Sequence, residues 1–419
     1  MGTAAMLEAD LPGSRGLVSH RRFPTLDGYR AIAAFMVVTT HVAFASGLVA
    51  ELPWGAVPAR FDIGVTIFFL LSGFLLYRPW ALAAMTARPG PRVGPFYWRR
   101  GVRIFPAYWV MLAFTLLVLP TIQPVAASTW AAHIPLLQIY LMPGVGGLSQ
   151  IWSLATEVAF YAVLPVVAWL VGRRGRGRPD RSALAQLLGL GLMAAAGWAF
   201  IAARALGAPG LTSFNASFWL PGFLDWFALG MAFAVISARL ALPGRPAWMA
   251  RIERLANDVP TCLTAAGFVF LIACTPLGGP YTLDVPIPWT VVAKHALYGV
   301  AAALFLAPGF LGRPTAGRWR TALASRPVVL LGTISYGVFL WHLVLLDLAR
   351  HLFGWTLFGG RFLLMLVVTV VASSVVAWLS WTLLEAPLQR LSHRWPTPRP
   401  PREAPTPSTA TPTPVTPPG

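Results

Sequence analysis

Runs of about 17–24 predominantly apolar residues recur along this chain, and no other feature constrains its fold as tightly. A run of that length crosses a ~30 Å hydrocarbon layer as a helix, which satisfies every backbone N–H and C=O internally. The runs lie near 29–50, 61–81, 103–121, 151–171, 183–204, 218–237, 259–275, 290–309, 327–348 and 361–384. They predict an all-α, polytopic membrane protein of about ten transmembrane helices. Composition agrees, because a chain 57% hydrophobic and 11% charged lies outside the range of soluble domains. A shorter apolar piece, Ile134 to Met142, follows His133 and is closed by Pro143-Gly144, which predicts a re-entrant or interfacial segment.

The formal charge of +18 is almost wholly arginine, since Lys294 is the only lysine. Its placement argues for membrane orientation and against nucleic-acid binding. Positive charge collects in alternate loops: Arg88, Arg92, Arg99 and Arg100, then Arg173 to Arg181, then Arg239 to Arg254, then Arg313 to Arg326. With Arg15, Arg21 and Arg22 before the first helix and Arg390, Arg394, Arg399 and Arg402 after the last, both termini are expected in the cytoplasm.

Residues 1–22 read as a cytoplasmic N-terminal tail, 23–390 as the membrane domain, and 391–419 as a Pro/Thr-rich tail too poor in apolar residues to order itself. The first helix has the charged approach and length of a retained span, not of a cleaved signal. Any chemistry is therefore expected inside the membrane domain. Cys262 and Cys274 have neither metal-ligand spacing nor a paired framework, so no metal is expected.

Ionisable residues inside a membrane are costly, and each is a functional-site hypothesis. Arg30 opens the first helix and His41 lies in its middle. At about 100° per residue the two return to nearly the same face, about 16 Å apart along the axis. Counting from the outer helix ends, His41, Glu157, Asp225 and His342 fall within a band only a few ångströms deep, at about 1.5 Å per residue. A buried His, Asp or Glu also ties helices together by hydrogen bonding, and Asp225, beside Trp226, reads that way. His342 is as readily structural as catalytic. His41 and Glu157 read as functional, because a carboxylate beside an imidazole fixes its tautomer and makes it a general base. Arg100 and Arg103, three apart at the mouth of the third helix, share a face and offer two guanidinium forks to a phosphate. Plain inward charge contacting lipid headgroups is the competing reading of that pair.

Several of these residues stand in recognisable strings. Leu26-Asp27-Gly28-Tyr29-Arg30 with His41, Phe68-Phe69-Leu70-Leu71-Ser72-Gly73-Phe74, the Arg100/Arg103 pair, Trp152-Ser153-Leu154 with Glu157 and Phe160-Tyr161, Ser335-Tyr336 to His342, and Glu385-Ala386-Pro387 follow in order across the membrane region. Together they resemble the acyltransferase-3 family of integral-membrane O-acyltransferases. Tyr29 and Ala31 depart from the commoner Leu and Gly.

The resemblance implies transfer of an acyl group, often acetyl, from acyl-CoA as donor substrate to a hydroxyl acceptor, a glycan or a glycosylated small molecule, at the cytoplasmic membrane. It makes His41 the essential histidine, Glu157 its partner, and Arg30, Arg100 and Arg103 the donor-binding residues; His342 stays a catalytic candidate on its buried position alone. It implies no permanently bound cofactor and no partner besides donor, acceptor and lipid. A proton-coupled transporter using His41, Glu157 and His342 is the rival reading, but it calls for an internal repeat that the sequence does not show.

Overall fold

The computed structural model describes residues 25–51, 53–141, 147–281, 287–312 and 317–392. The tail expected at 1–22, the tail from residue 393 onward and Pro143-Gly144 lie outside the described residues. Among the described residues the protein is helical with no strand. The helices that concern us are α1 (Thr25–Ser46), α2 (Ile63–Met85), α3 (Val93–Val118), α4 (Ile151–Gly172), α5 (Pro179–Ala205), α6 (Leu224–Leu240), α7 (Val259–Ala273), α8 (Pro288–Phe310), α9 (Arg326–Leu352) and α10 (Phe362–Ser380). Nine helical segments among them are long and apolar enough to cross a membrane, and α7 makes a tenth only together with the segment before it.

That segment, Ala247–Asn257, meets α7 at 79°. The break has a local cause. Asp258 caps α7, its carboxylate accepting from Thr261 N at 3.3 Å and Thr261 Oγ1 at 2.7 Å, and Pro260 sits in the first turn, where its missing N–H costs nothing. The 15 residues of α7 rise about 22 Å, short of a full crossing, so the span expected at 259–275 is completed only through the bend. The piece expected to be interfacial, from Ile134 onward, follows a short helix, Ala127–His133, and itself holds another, Gln138–Leu141, neither long enough to span. Tyr108 Oη donates to His133 O at 2.6 Å and Trp109 Nε1 to Ile134 O at 3.0 Å, which straps this piece to α3.

Helix α3 begins at Val93, ten residues before the expected start at 103. Arg99, Arg100 and Arg103 penalise an apolar window, yet Phe96 just before them is buried and the helix runs on through all three. The arginines therefore project from the body of a helix, not from its mouth.

Without a hydrophobic drive inside lipid, helices associate by close packing of small residues. Gly73 on α2 and Gly230 on α6 do this reciprocally. A Cβ on Gly73 would strike the Phe227 carbonyl oxygen, and one on Gly230 the Leu70 carbonyl oxygen. Around this crossing Phe227 stacks on Phe69 at 4.6 Å and on Phe160 at 3.9 Å between ring centroids. Helix α1 packs between α2 and α9. Gly332 of α9 lies on the Asp27 backbone, and farther along His342 meets His41, so α1 and α9 run in the same direction.

Three buried arginines serve the fold instead of orientation. Arg60 donates to Ala273 O at 2.9 Å, Arg239 to Pro243 O at 3.0 Å and Asp180 at 2.8 Å, and Arg320 to Pro308 O at 3.0 Å. Ala273 ends α7 and Pro308 lies in the last turn of α8, so Arg60 and Arg320 satisfy carbonyls that helix ends leave without partners, while Arg239 holds the loop that follows α6.

Candidate active site

Helices α1, α2, α3, α4 and α9 line a partly open cavity. Arg30 enters it from α1, Ser72 from α2, Arg100 and Arg103 from α3, Glu157 and Tyr161 from α4, and Tyr336 from α9. Three guanidiniums thus converge from two helices, while the remaining lining is largely apolar. Tyr336 Oη donates to Ile104 O at 2.8 Å, which fixes α9 against the arginine-bearing helix. Arg30 keeps a long ion pair with Asp27 at 3.8 Å, which leaves much of its fork available to the cavity.

Glu157 is held by two hydroxyls on one oxygen: Tyr161 Oη donates to Oε1 at 2.6 Å, and Ser72 Oγ donates to the same atom. The spacing of Glu157 and Tyr161, one turn apart on α4, follows from the helix itself. The sequence reading made Glu157 the partner of His41. The structure does not bring them together, and neither residue has a hydrogen bond to the other. Equal depth fixes one coordinate of three. Glu157 shares that depth but faces the arginines.

His41 has another partner. His342 Nε2 lies 3.1 Å from His41 Nδ1, with ring centroids 5.0 Å apart. Each Nδ1 also sits against a backbone carbonyl of its own helix: His41 against Val37 O at 2.8 Å, His342 against Phe339 O at 2.7 Å and Val338 O at 3.2 Å. A carbonyl only accepts, so both Nδ1 atoms carry the proton. The Nε2 of His342 then faces the Nδ1–H of His41 with its lone pair, and the Nε2 of His41 is left as an unencumbered base. The sequence weighed His342 evenly between structure and catalysis, and here it touches the essential candidate directly.

A second cavity shares Arg30, Arg103 and Tyr336 with the first and reaches Glu385 and Gln389. Glu385 ends a π-helical turn, Trp381–Glu385, that extends α10, and it accepts from Ser380 Oγ at 2.9 Å.

Asp225 is tied to His295, whose Nε2 lies 2.9 Å and 3.0 Å from its two carboxylate oxygens, and the imidazole stacks on Trp226 at 4.1 Å. Sequence reasoning missed His295. The depth rule that selected His41 would have found it, because His295 lies about five residues into the apolar run at 290–309.

The architecture is that of a polytopic helical membrane protein with ionisable residues gathered inside the bundle. Residues 23–179, which carry Arg30, His41, Arg100, Arg103 and Glu157, match the family model described as an acyltransferase domain. The chain is 27% identical over 403 residues to YrhL of Bacillus subtilis, provisionally named a peptidoglycan O-acetyltransferase, covering 90% of this chain and 56% of that one. It is 25% identical to the peptidoglycan O-acetyltransferase OatA of Listeria monocytogenes, covering 89% and 56%. It is 28% identical to the acyltransferase MdmB of Streptomyces mycarofaciens, covering 93% and 96%. The chain thus spans about half the length of the first two relatives. No solved structure matches it.

Proposed function

We propose that this protein is an O-acyltransferase of the cytoplasmic membrane, moving an acyl group, acetyl in the first instance, from acyl-CoA to a hydroxyl of a glycan or glycosylated small molecule. The observation that carries this reading is the pairing of an arginine-lined cavity with an adjacent histidine dyad, two parts that thioester-dependent acyl transfer needs. Guanidiniums suit phosphate because each presents a planar fork with donors to spare. Arg100 and Arg103 hold the donor's phosphates from α3 and Arg30 from α1. From there the pantetheine arm, of the same order as the about 16 Å that separates Arg30 from His41 along α1, extends toward the dyad.

At the dyad the acceptor O–H passes its proton to Nε2 of His41 as its oxygen attacks the thioester carbonyl carbon. The C–S bond breaks, the thiolate takes up a proton, and an ester and free thiol leave. His342 stabilises the imidazolium of His41 by accepting its Nδ1–H, as a carboxylate does in other dyads but without a full charge. Holding donor and acceptor together at the dyad lowers the barrier further, because encounter entropy has already been lost on binding. Glu157 balances the cluster of guanidiniums and keeps them extended into the cavity before the donor arrives.

The test is release of thiol from acetyl-CoA by the purified protein, with and without oligosaccharide or glycosylated small-molecule acceptors, joined to profiling of acylated envelope glycans and secreted metabolites in a deletion strain. Acceptor-stimulated release with ester formation is expected. No release under any condition overturns the reading.

A further inference from the structure

The arginine-lined cavity and the histidine dyad are neighbours without being continuous. Along α2 the cavity lining runs from Leu76 back to Val65, while neither His41 nor His342 lines it among the described residues. The Val65 end is the one nearest the dyad, since the adjoining Gly64 packs on Ala33 and Val37 of α1, one turn before His41. Two rings stand at that end. Phe68 leaves α2 and Phe339 leaves α9, with centroids 6.3 Å apart and planes at 67°. Phe339 lies one turn before His342 on the same helix, its ring 6.0 Å from the imidazole.

We propose that Phe68 and Phe339 form an aromatic gate between the cavity and the histidine dyad, and that the space the rings yield on parting sets the largest acyl group the protein transfers. The inference rests on the acyl-transfer reading above. Three observations lead to it. The rings line the cavity at its end nearest His41. The lining there, Val65 with the two phenylalanines, offers no polar partner to a sugar but suits an acyl chain. The rings also come from different helices, α2 and α9, so their edge-to-face contact parts by side-chain rotation.

The experiment compares acetyl-, butyryl- and hexanoyl-CoA as donors for the full-length protein in lipid nanodiscs, reading thiol release with water or an oligosaccharide as acceptor. Phe339→Ala should raise the butyryl-to-acetyl ratio of kcat/KM about tenfold, the scale on which an apolar pocket counts methylenes. Phe68→Trp, which adds ring volume and narrows the gate, should lower the same ratio. The KM for acetyl-CoA should move little in either, because the arginines are untouched. Wild-type turnover of acetyl-CoA with ratios within about twofold in both variants overturns the gate and leaves acyl transfer standing. Failure of the wild type to release thiol from any donor overturns the acyl-transfer reading and the gate with it.

Discussion

His342 Nε2 approaches His41 Nδ1 to 3.1 Å across 301 residues of sequence, and the carbonyls behind both rings dictate which nitrogen of each carries the proton. The contact exists because α1 and α9 run side by side in the same direction, bringing their buried faces into register. One neutral histidine thereby aims the lone pair of another.

Replacing His41 with Ala should abolish acyl transfer while donor binding persists, since the base is lost and the arginines are spared. His342→Ala should slow turnover by about 10²-fold, the scale of a general-base contribution, because His41 keeps its Val37 hydrogen bond but loses support for its imidazolium. The double variant should be hardly worse than His41→Ala, as for groups that act as a unit. Near wild-type transfer by His41→Ala, measured by thiol release, would reject the dyad.

Arg100→Ala with Arg103→Ala should weaken acyl-CoA binding, measured calorimetrically, without unfolding the protein. Arg→Lys at either site should restore little, because an ammonium lacks the planar fork. Unchanged donor affinity would return these arginines to orientation charge.

The long apolar runs, the chain order of the motifs and the buried ionisable residues were legible in the sequence because lipid imposes a single periodic rule on every span. Two features were not. The start of α3 was hidden because Arg99, Arg100 and Arg103 look like loop charge until the cavity they face is known. The pairing of His41 with His342 in place of Glu157, and of Asp225 with His295, was hidden because depth along a membrane says nothing of position within its plane.

Orientation was read from charge alone and is open to a direct check. A reporter fused after Arg178 should report the cytoplasm and one after Gly147 the opposite side, because α4 lies between them. Both reporters on one side would undo the depth argument.

Asp225→Ala should destabilise the bundle without changing donor specificity, because it leaves the His295 imidazole without its carboxylate between α6 and α8. The loss should be about 1–2 kcal/mol, the scale of an interhelical hydrogen bond in lipid, read from detergent–SDS unfolding. Asp225→Leu combined with His295→Leu should recover most of it. A stable protein that has lost turnover would instead place the pair in the chemistry.

Glu157 is the residue whose surroundings changed its expected role most. Tyr161 and Ser72 both donate to Oε1, and the residue lines a cavity with three guanidiniums. A group that orients donor-binding arginines should act on KM, whereas a partner of the catalytic base should act on kcat. Glu157→Gln should therefore raise the KM for acetyl-CoA several-fold with kcat reduced less, and Tyr161→Phe should do the same more weakly, since the Ser72 hydroxyl still holds the carboxylate. A loss confined to kcat with KM unchanged would reconnect Glu157 to His41, and the hydrogen bonds seen here would then describe a state the protein leaves before transfer.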